Sequence, residues 1–129
     1  MKVYRGVRRL TGRLDVLIVE DHVAQPLPHV VWHSPDGFEV GYPGSGPADL
    51  ALSMVADAVG EKQTREQAKH FDPSSCPRAV RAHQEFKQEF IALLDRNAAW
   101  EIEASKVLAW VEASEALARQ VEDENMASG

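Results

Sequence analysis

Five histidines, one cysteine and a glycine-rich turn are the groups through which this chain could do chemistry, and their spacing decides how much. His22, His29 and His33 fall in a β-rich stretch where imidazoles can converge on one ion, with Asp21 or Asp36 to complete the set. That spacing is no zinc pattern, and Pro26 and Pro28 leave the side-chain directions open, so no metal and no cofactor is assigned. His83 lies near the Phe86 and Phe90 direction of a helical segment and could act as an acid or base. Without a paired Ser, Cys or carboxylate at a recognisable spacing it reads as a core-edge histidine bonded to backbone. Cys76 has no adjacent base, and as the only cysteine it excludes both an internal disulfide and a thiolate-rich metal site. It reads as incidental or as a helix N-cap. No catalytic residue is assigned, and the balance leans away from an enzyme.

Gly41, Gly44, Ser45 and Gly46 form the second candidate, a ligand-contacting loop running into an apolar helix. Backbone N–H groups at a helix start can receive a phosphate or carboxylate. Here Pro47 removes one donor and no Lys-Ser or Lys-Thr follows, so the Walker pattern is not met. The competing reading is a structural turn packed against the sheet.

Arg5, Arg8, Arg9 and Arg13, joined by Tyr4, collect on one hairpin as a basic surface that could read phosphate or an acidic protein face. A formal charge of −6 argues against extended nucleic acid, whose affinity leans on phosphate neutralisation. A protein partner is therefore favoured. Trp110 is the matching candidate at the other end: it shares an apolar stripe with Val107, Val111, Leu117, Ala118 and Val121, interrupted by Ser114. Docked, that stripe is core; undocked, it is a homodimer surface with an acidic, solvated opposite face.

Positioning these groups requires few elements. Val3 with its neighbours and Leu14, Val16 and Ile18 alternate as a hairpin over residues 2–5 and 14–20, with Gly12 in the turn. Ser34-Pro35-Asp36-Gly37 predicts a reversal from a strand ending at Trp32 or His33 into Phe38–Tyr42. Pro47 suits the first turn of a helix that ends at Gly60, and Asp49, Ser53 and Asp57 are its one polar strip, the rest being buried. Thr64 and Gln67 form a capping box on a short helix. A third helix is predicted from Pro77 to about Asn97, with Ala79, Ala82, Phe86, Phe90, Leu93 and Leu94 on one face. Trp100–Ile102 reads as a short edge strand, and Ser105 as the cap of the last helix.

The expectation is an α+β fold, a small antiparallel sheet of three to four strands packed against three main helices. One domain spans residues 1–122, with a polar, mobile connector at 61–77 and a frayed tail at 123–129. A start that runs straight into alternating residues predicts no secretory signal and no membrane span, hence a cytoplasmic protein.

Tyr4-Arg5-Gly6, Ser34-Pro35-Asp36-Gly37-Phe38-Glu39, Gly41-Tyr42-Pro43-Gly44-Ser45-Gly46-Pro47-Ala48, Asp49-Leu50-Ala51-Leu52 and His83-Gln84-Glu85-Phe86-Lys87 together resemble a family of small uncharacterised proteins of bacteria, plasmids and phages. The likeness covers roughly residues 3–102 and supplies no substrate or site residue. Its phage and plasmid associations imply a role in mobile-element biology. The resulting expectation is a noncatalytic interaction or regulatory protein, an inhibitor of a host protein complex. The alternatives are a small ligand-binding or hydrolytic enzyme at Gly41–Gly46 with His33, Asp36 or His83, and a nucleic-acid-associated module on the basic hairpin.

Overall fold

In the computed structural model, which describes residues 1–128, the period-two stretches form β1 (Lys2–Arg8) and β2 (Leu14–Glu20). They pair antiparallel from Lys2 opposite Glu20 to Arg8 opposite Leu14, and Gly12 supplies the positive φ of their connection. β3 (Val23–Pro26) folds back on β2 through Asp21 and His22, both at positive φ, a two-residue reversal whose twist suits a hairpin. β4 (Trp100–Glu103) closes the other side of β1, giving the order β3-β2-β1-β4. The α+β class, a sheet of three to four antiparallel strands and three main helices match the sequence reading, with β3 in the sheet where strands at Val30–Trp32 and Phe38–Tyr42 are expected.

Helix α1 (Ser45–Ala58) starts after Gly44 with Pro47 in its first turn, and Gly60 follows its end at φ +82°. Every residue from Gly46 to Asp57 is buried. Leu50, Leu52, Met54 and Val55 join Tyr4, Val16, Phe86, Val107 and Val111 in one hydrophobic core. Each fully buried Leu or Val contributes about 1.5–3 kcal/mol. Helix α2 (Arg65–Lys69) carries the expected capping box between Thr64 and Gln67. Helix α3 (Pro77–Glu89) and helix α4 (Ala104–Ser128) complete the fold, and α4 continues through 123–128, where fraying is predicted; residue 129 lies outside the described residues.

Four expectations are corrected. Residues 27–44 contain no strand, so the hairpin around Ser34–Gly37 is a turn without a ladder. The reason is hydrogen bonding: the N–H of Val30 goes to Ser53 Oγ, that of Val31 to the Ala68 carbonyl, and those of Trp32, His33 and Ser34 to the Asp49 carboxylate. The polar strip of α1 is consequently internal, with Asp49, Ser53 and Asp57 exposed by only 0, 2 and 7%. Helix α3 stops at Glu89 and passes into a 3-10 turn at Ile91–Leu93, which buries Ile91 and leaves Phe90 and Leu93 on the surface. Ser105 is the second residue of α4, which begins directly after β4 at Ala104 and so is not capped by it.

Candidate functional site

The start of α1 gathers more polar side chains than any sequence motif announces. Asp49, one turn into the helix, accepts His29 Nε2 at 2.8 Å, His33 N at 2.8 Å, Ser34 N at 3.0 Å and Trp32 N at 3.2 Å. Burial pushes its carboxyl pKa up, but the donors from His29, His33, Ser34 and Trp32 outweigh that and hold it below the usual carboxylate range. An anionic Asp49 is thus the peg on which an irregular segment hangs.

His33 and His83 meet beside it. Their Nε2 atoms are 3.0 Å apart, with the rings inclined by 18° and the centroids 5.3 Å apart, so the imidazoles approach end to end. His83 Nδ1 donates to the Val80 carbonyl at 2.6 Å, which leaves its Nε2 to accept from His33 in the neutral pair. Burial, and then the neighbouring His33, lower the His83 pKa, while the bond to Val80 opposes them. Trp32 covers both rings, 4.7 Å from His33 and 5.5 Å from His83, and reaches Phe71 at 5.6 Å. The core-edge, backbone-bonded position read for His83 is the one observed.

Of the glycine loop, Gly44 packs against the Tyr42 ring, Gly46 against Glu39, and Gly41, at φ +87°, against Arg96 and the Leu94 carbonyl. A side chain at any of the three meets these neighbours, so the loop is packed as a structural turn on that side. Ser45 and Gly46 also edge a cleft of about 900 Å³ whose walls include Arg9, Arg13, His29, Asp36, Tyr42 and Arg65. His29 is held there by Asp49 and by its ring contact with Phe38 at 4.6 Å. The histidine and carboxylate that converge beside the loop are therefore His29 and Asp49, whereas His33 and His83 pair with each other. With Nε2–H donated to Asp49, Nδ1 of His29 is the basic nitrogen. No Ser, Thr or Cys is hydrogen-bonded to His29 among the described residues, nor do three or more His, Cys, Asp or Glu form a metal-holding group. The arrangement can orient a ligand or accept a proton; it contains no nucleophile-base pair.

The four hairpin arginines each face a carboxylate. Arg5 pairs with Glu101, Arg9 and Arg13 share Asp15, and Arg8 grips Glu39 with two bonds of 2.8 and 2.9 Å while donating to the Gly12 and Arg96 carbonyls. Glu39, held by Arg8 against the cost of its own burial, is kept below the usual carboxylate range. Arg8 is a tie between turn, loop and the Arg96 segment; Arg9 and Arg13 stay solvated, with side chains 66 and 81% exposed.

Trp110 is half in the core. Its ring meets Phe86 at 5.3 Å and Phe90 at 6.0 Å, and Nε1 donates to Glu89 at 2.5 Å. Val107 and Val111 are fully buried, but Leu117 and Val121 farther along the same helix are 61 and 47% exposed. Between α3 and α4 runs a groove of about 530 Å³ lined by Arg81, Glu85 and Glu89 on one wall and by Trp110, Leu117 and Val121 on the other, with Ala113, Ser114 and Ala118 between.

The residues missed from sequence are the internal carboxylates. Asp57 takes the Tyr4 hydroxyl at 2.7 Å and the Lys2 ammonium at 2.5 Å, and burial together with Asp57 pushes the Tyr4 phenol far above its ordinary range. Lys87, expected on no site, is buried with Nζ 3.5 Å from the Pro43 carbonyl of the glycine loop. Cys76 stands at the N-cap of α3 without a side-chain cap bond, its thiol pushed up to about 11 by burial and by Glu61.

No helix among the described residues is long and apolar enough to cross a membrane. No curated protein and no solved structure matches the chain. A family model does match, over residues 4–76, which takes in β1 from Tyr4 onward, β2, β3, α1, α2 and the Asp49 peg. The chain belongs to that family, a family of unknown function designated DUF6166.

Proposed function

We propose that this chain is a noncatalytic protein-interaction protein of the cytoplasm that acts by occupying a surface of a larger host protein or complex, as a mobile-element inhibitor would. The observation that carries the reading is the exposure of Leu117 and Val121 on a helix whose preceding turns, at Val107 and Val111, are core. A 25-residue helix is about 37 Å long, so its distal half offers contact surface that the rest of the chain does not cover. The hairpin arginines support a nucleic-acid role less well, because each already faces a carboxylate.

Affinity capture from the native host, followed by a saturable titration of the purified captured protein, tests this. Binding should survive Arg9→Glu and fall at least about tenfold with Leu117→Glu, the loss expected of an interface anchor. No saturable partner, together with turnover by the isolated chain, would refute it.

A second reading has one observation in its favour: His29, held by the buried Asp49, lines the 900 Å³ cleft beside Ser45 and Gly46, where a ligand could meet it. Specific small-molecule binding lost on His29→Ala would favour it over the first.

A further inference from the structure

The cleft of about 900 Å³ beside His29 has the size of a small-molecule site. Its walls run from Arg9 to Arg65, wholly inside the stretch 4–76 that matches the family. Leu14, Leu27 and Phe38 give a ligand an apolar surface to rest on, and the polar groups between them decide the charge it carries.

Most acceptors on these walls are already engaged. Asp15 faces Arg9 with one oxygen and Arg13 with the other, and both oxygens of Glu39 go to Arg8. Asp36 is the one wall carboxylate without a partner among the described residues. The donors, by contrast, are largely open. Arg65 has no hydrogen bond or ion pair among the described residues. Arg9 and Arg13 both approach Asp15 through Nε, so two guanidinium groups share one carboxylate and keep their terminal N–H groups for something else. Gly46 is buried, no side chain caps the start of α1, and the Gly46 N–H has no acceptor among the described residues. A buried backbone donor is ordinarily paired. His29 gives Nε2 to Asp49 and keeps Nδ1 without a partner. A wall of open donors favours an acceptor-rich, negatively charged group, because hydrogen bonds to an ionised acceptor are the strong ones. A cationic ligand would face Arg9, Arg13 and Arg65 with only Asp36 open to receive it.

We propose that this cleft binds a small organic anion: Arg9, Arg13, Arg65 and the Gly46 N–H supply donors for its phosphate or carboxylate, and Leu14, Leu27 and Phe38 the surface for its apolar body. The inference rests on the ligand-binding reading and names the charge of the ligand.

Probes that share one ring and differ in charge test it: phenyl phosphate, phenylacetate, benzyl alcohol and benzylamine, each titrated into the full, isotope-labelled chain and followed through its amide and imidazole resonances. The two anions should produce saturable shifts at Gly46 and His29, and the tighter of them names the charged group. The neutral and cationic probes should bind at least about tenfold more weakly. Arg13→Ala combined with Arg65→Ala removes the cations left over after pairing; both are exposed, so the rest of the spectrum should stay unchanged while the anions lose at least about tenfold in affinity. Benzyl alcohol or benzylamine matching the anions, or anion affinity indifferent to the double substitution, would overturn the inference. In either case a continued response at Gly46 and His29 leaves the ligand-binding reading standing, whereas no saturable shift at either residue with any probe ends both.

Discussion

Replacing Asp49 by Asn changes one oxygen for an NH2 and should cost this protein a large share of its stability. Oδ2 accepts from His29 Nε2, Trp32 N and Ser34 N, and Oδ1 accepts from His33 N. An Asn side chain can keep its carbonyl at the first position, but its NH2 then opposes the His33 N–H. Three charge-assisted bonds become neutral ones, at about 1 kcal/mol each, and one buried donor loses its acceptor, at about 1–3 kcal/mol. The bonds share one segment, so the losses will not simply add; the expected cost is about 3–5 kcal/mol. The folded carboxyl is depressed below its unfolded value. Its contribution is therefore full above the unfolded pKa of about 3.9 and disappears as pH falls through the folded value. Urea unfolding of wild type and Asp49→Asn at pH 7 and then stepwise toward pH 2.5 measures both quantities. The gap should be widest near neutrality and narrow in acid. A gap under about 1 kcal/mol at pH 7, or one that ignores acid, would show that the segment does not hang on this carboxylate.

Two further outcomes follow from packing and burial. His83 has its pKa lowered in the fold, so the unfolded chain binds the extra proton first and wild-type stability should fall as pH drops below about 6.5; His83→Gln should flatten that slope in urea midpoints taken at pH 7.5 and 5.5. Gly6→Ala drives a methyl into the Trp100 indole and should cost about 2–3 kcal/mol by thermal unfolding. Trp100→Phe removes a ring carrying a buried N–H without a partner, so the double variant should recover at least about 1 kcal/mol of that loss; strict additivity would refute the contact.

Local periodicity made the sheet's first hairpin legible, because Leu14 and Val16 had to share a face and the turn held a glycine. It made α1 legible through Pro47 and Gly60, and β4 through Trp100 and Ile102. The segment at 30–42 misled because its turn chemistry is real: Pro35, Asp36 and Gly37 do reverse the chain. What sequence hides is where the flanking N–H groups go. A polar strip at every fourth residue looks the same whether it faces water or unladdered backbone, so Asp49, Ser53 and Asp57 read from sequence only as the polar strip of a helix buried on its other sides. The end of α3 carries no glycine or proline; only the burial of Ile91 in place of Phe90 reveals it. Arg5 and Arg8 read as part of a free basic surface because their partners are distant, Glu39 lying 31 residues from Arg8 and Glu101 lying 96 from Arg5.

The position of β1 between β2 and β4 has a consequence during synthesis. One side of β1 can pair as soon as Glu20 has emerged, but the other waits for Trp100. Through that interval the nascent chain presents Val3 to Gly6 as an open strand edge, a template for pairing with a neighbour on the same message. Completion of this strand is a late, long-range event, and a ribosome stalled before residue 100 would release a chain prone to stick to itself.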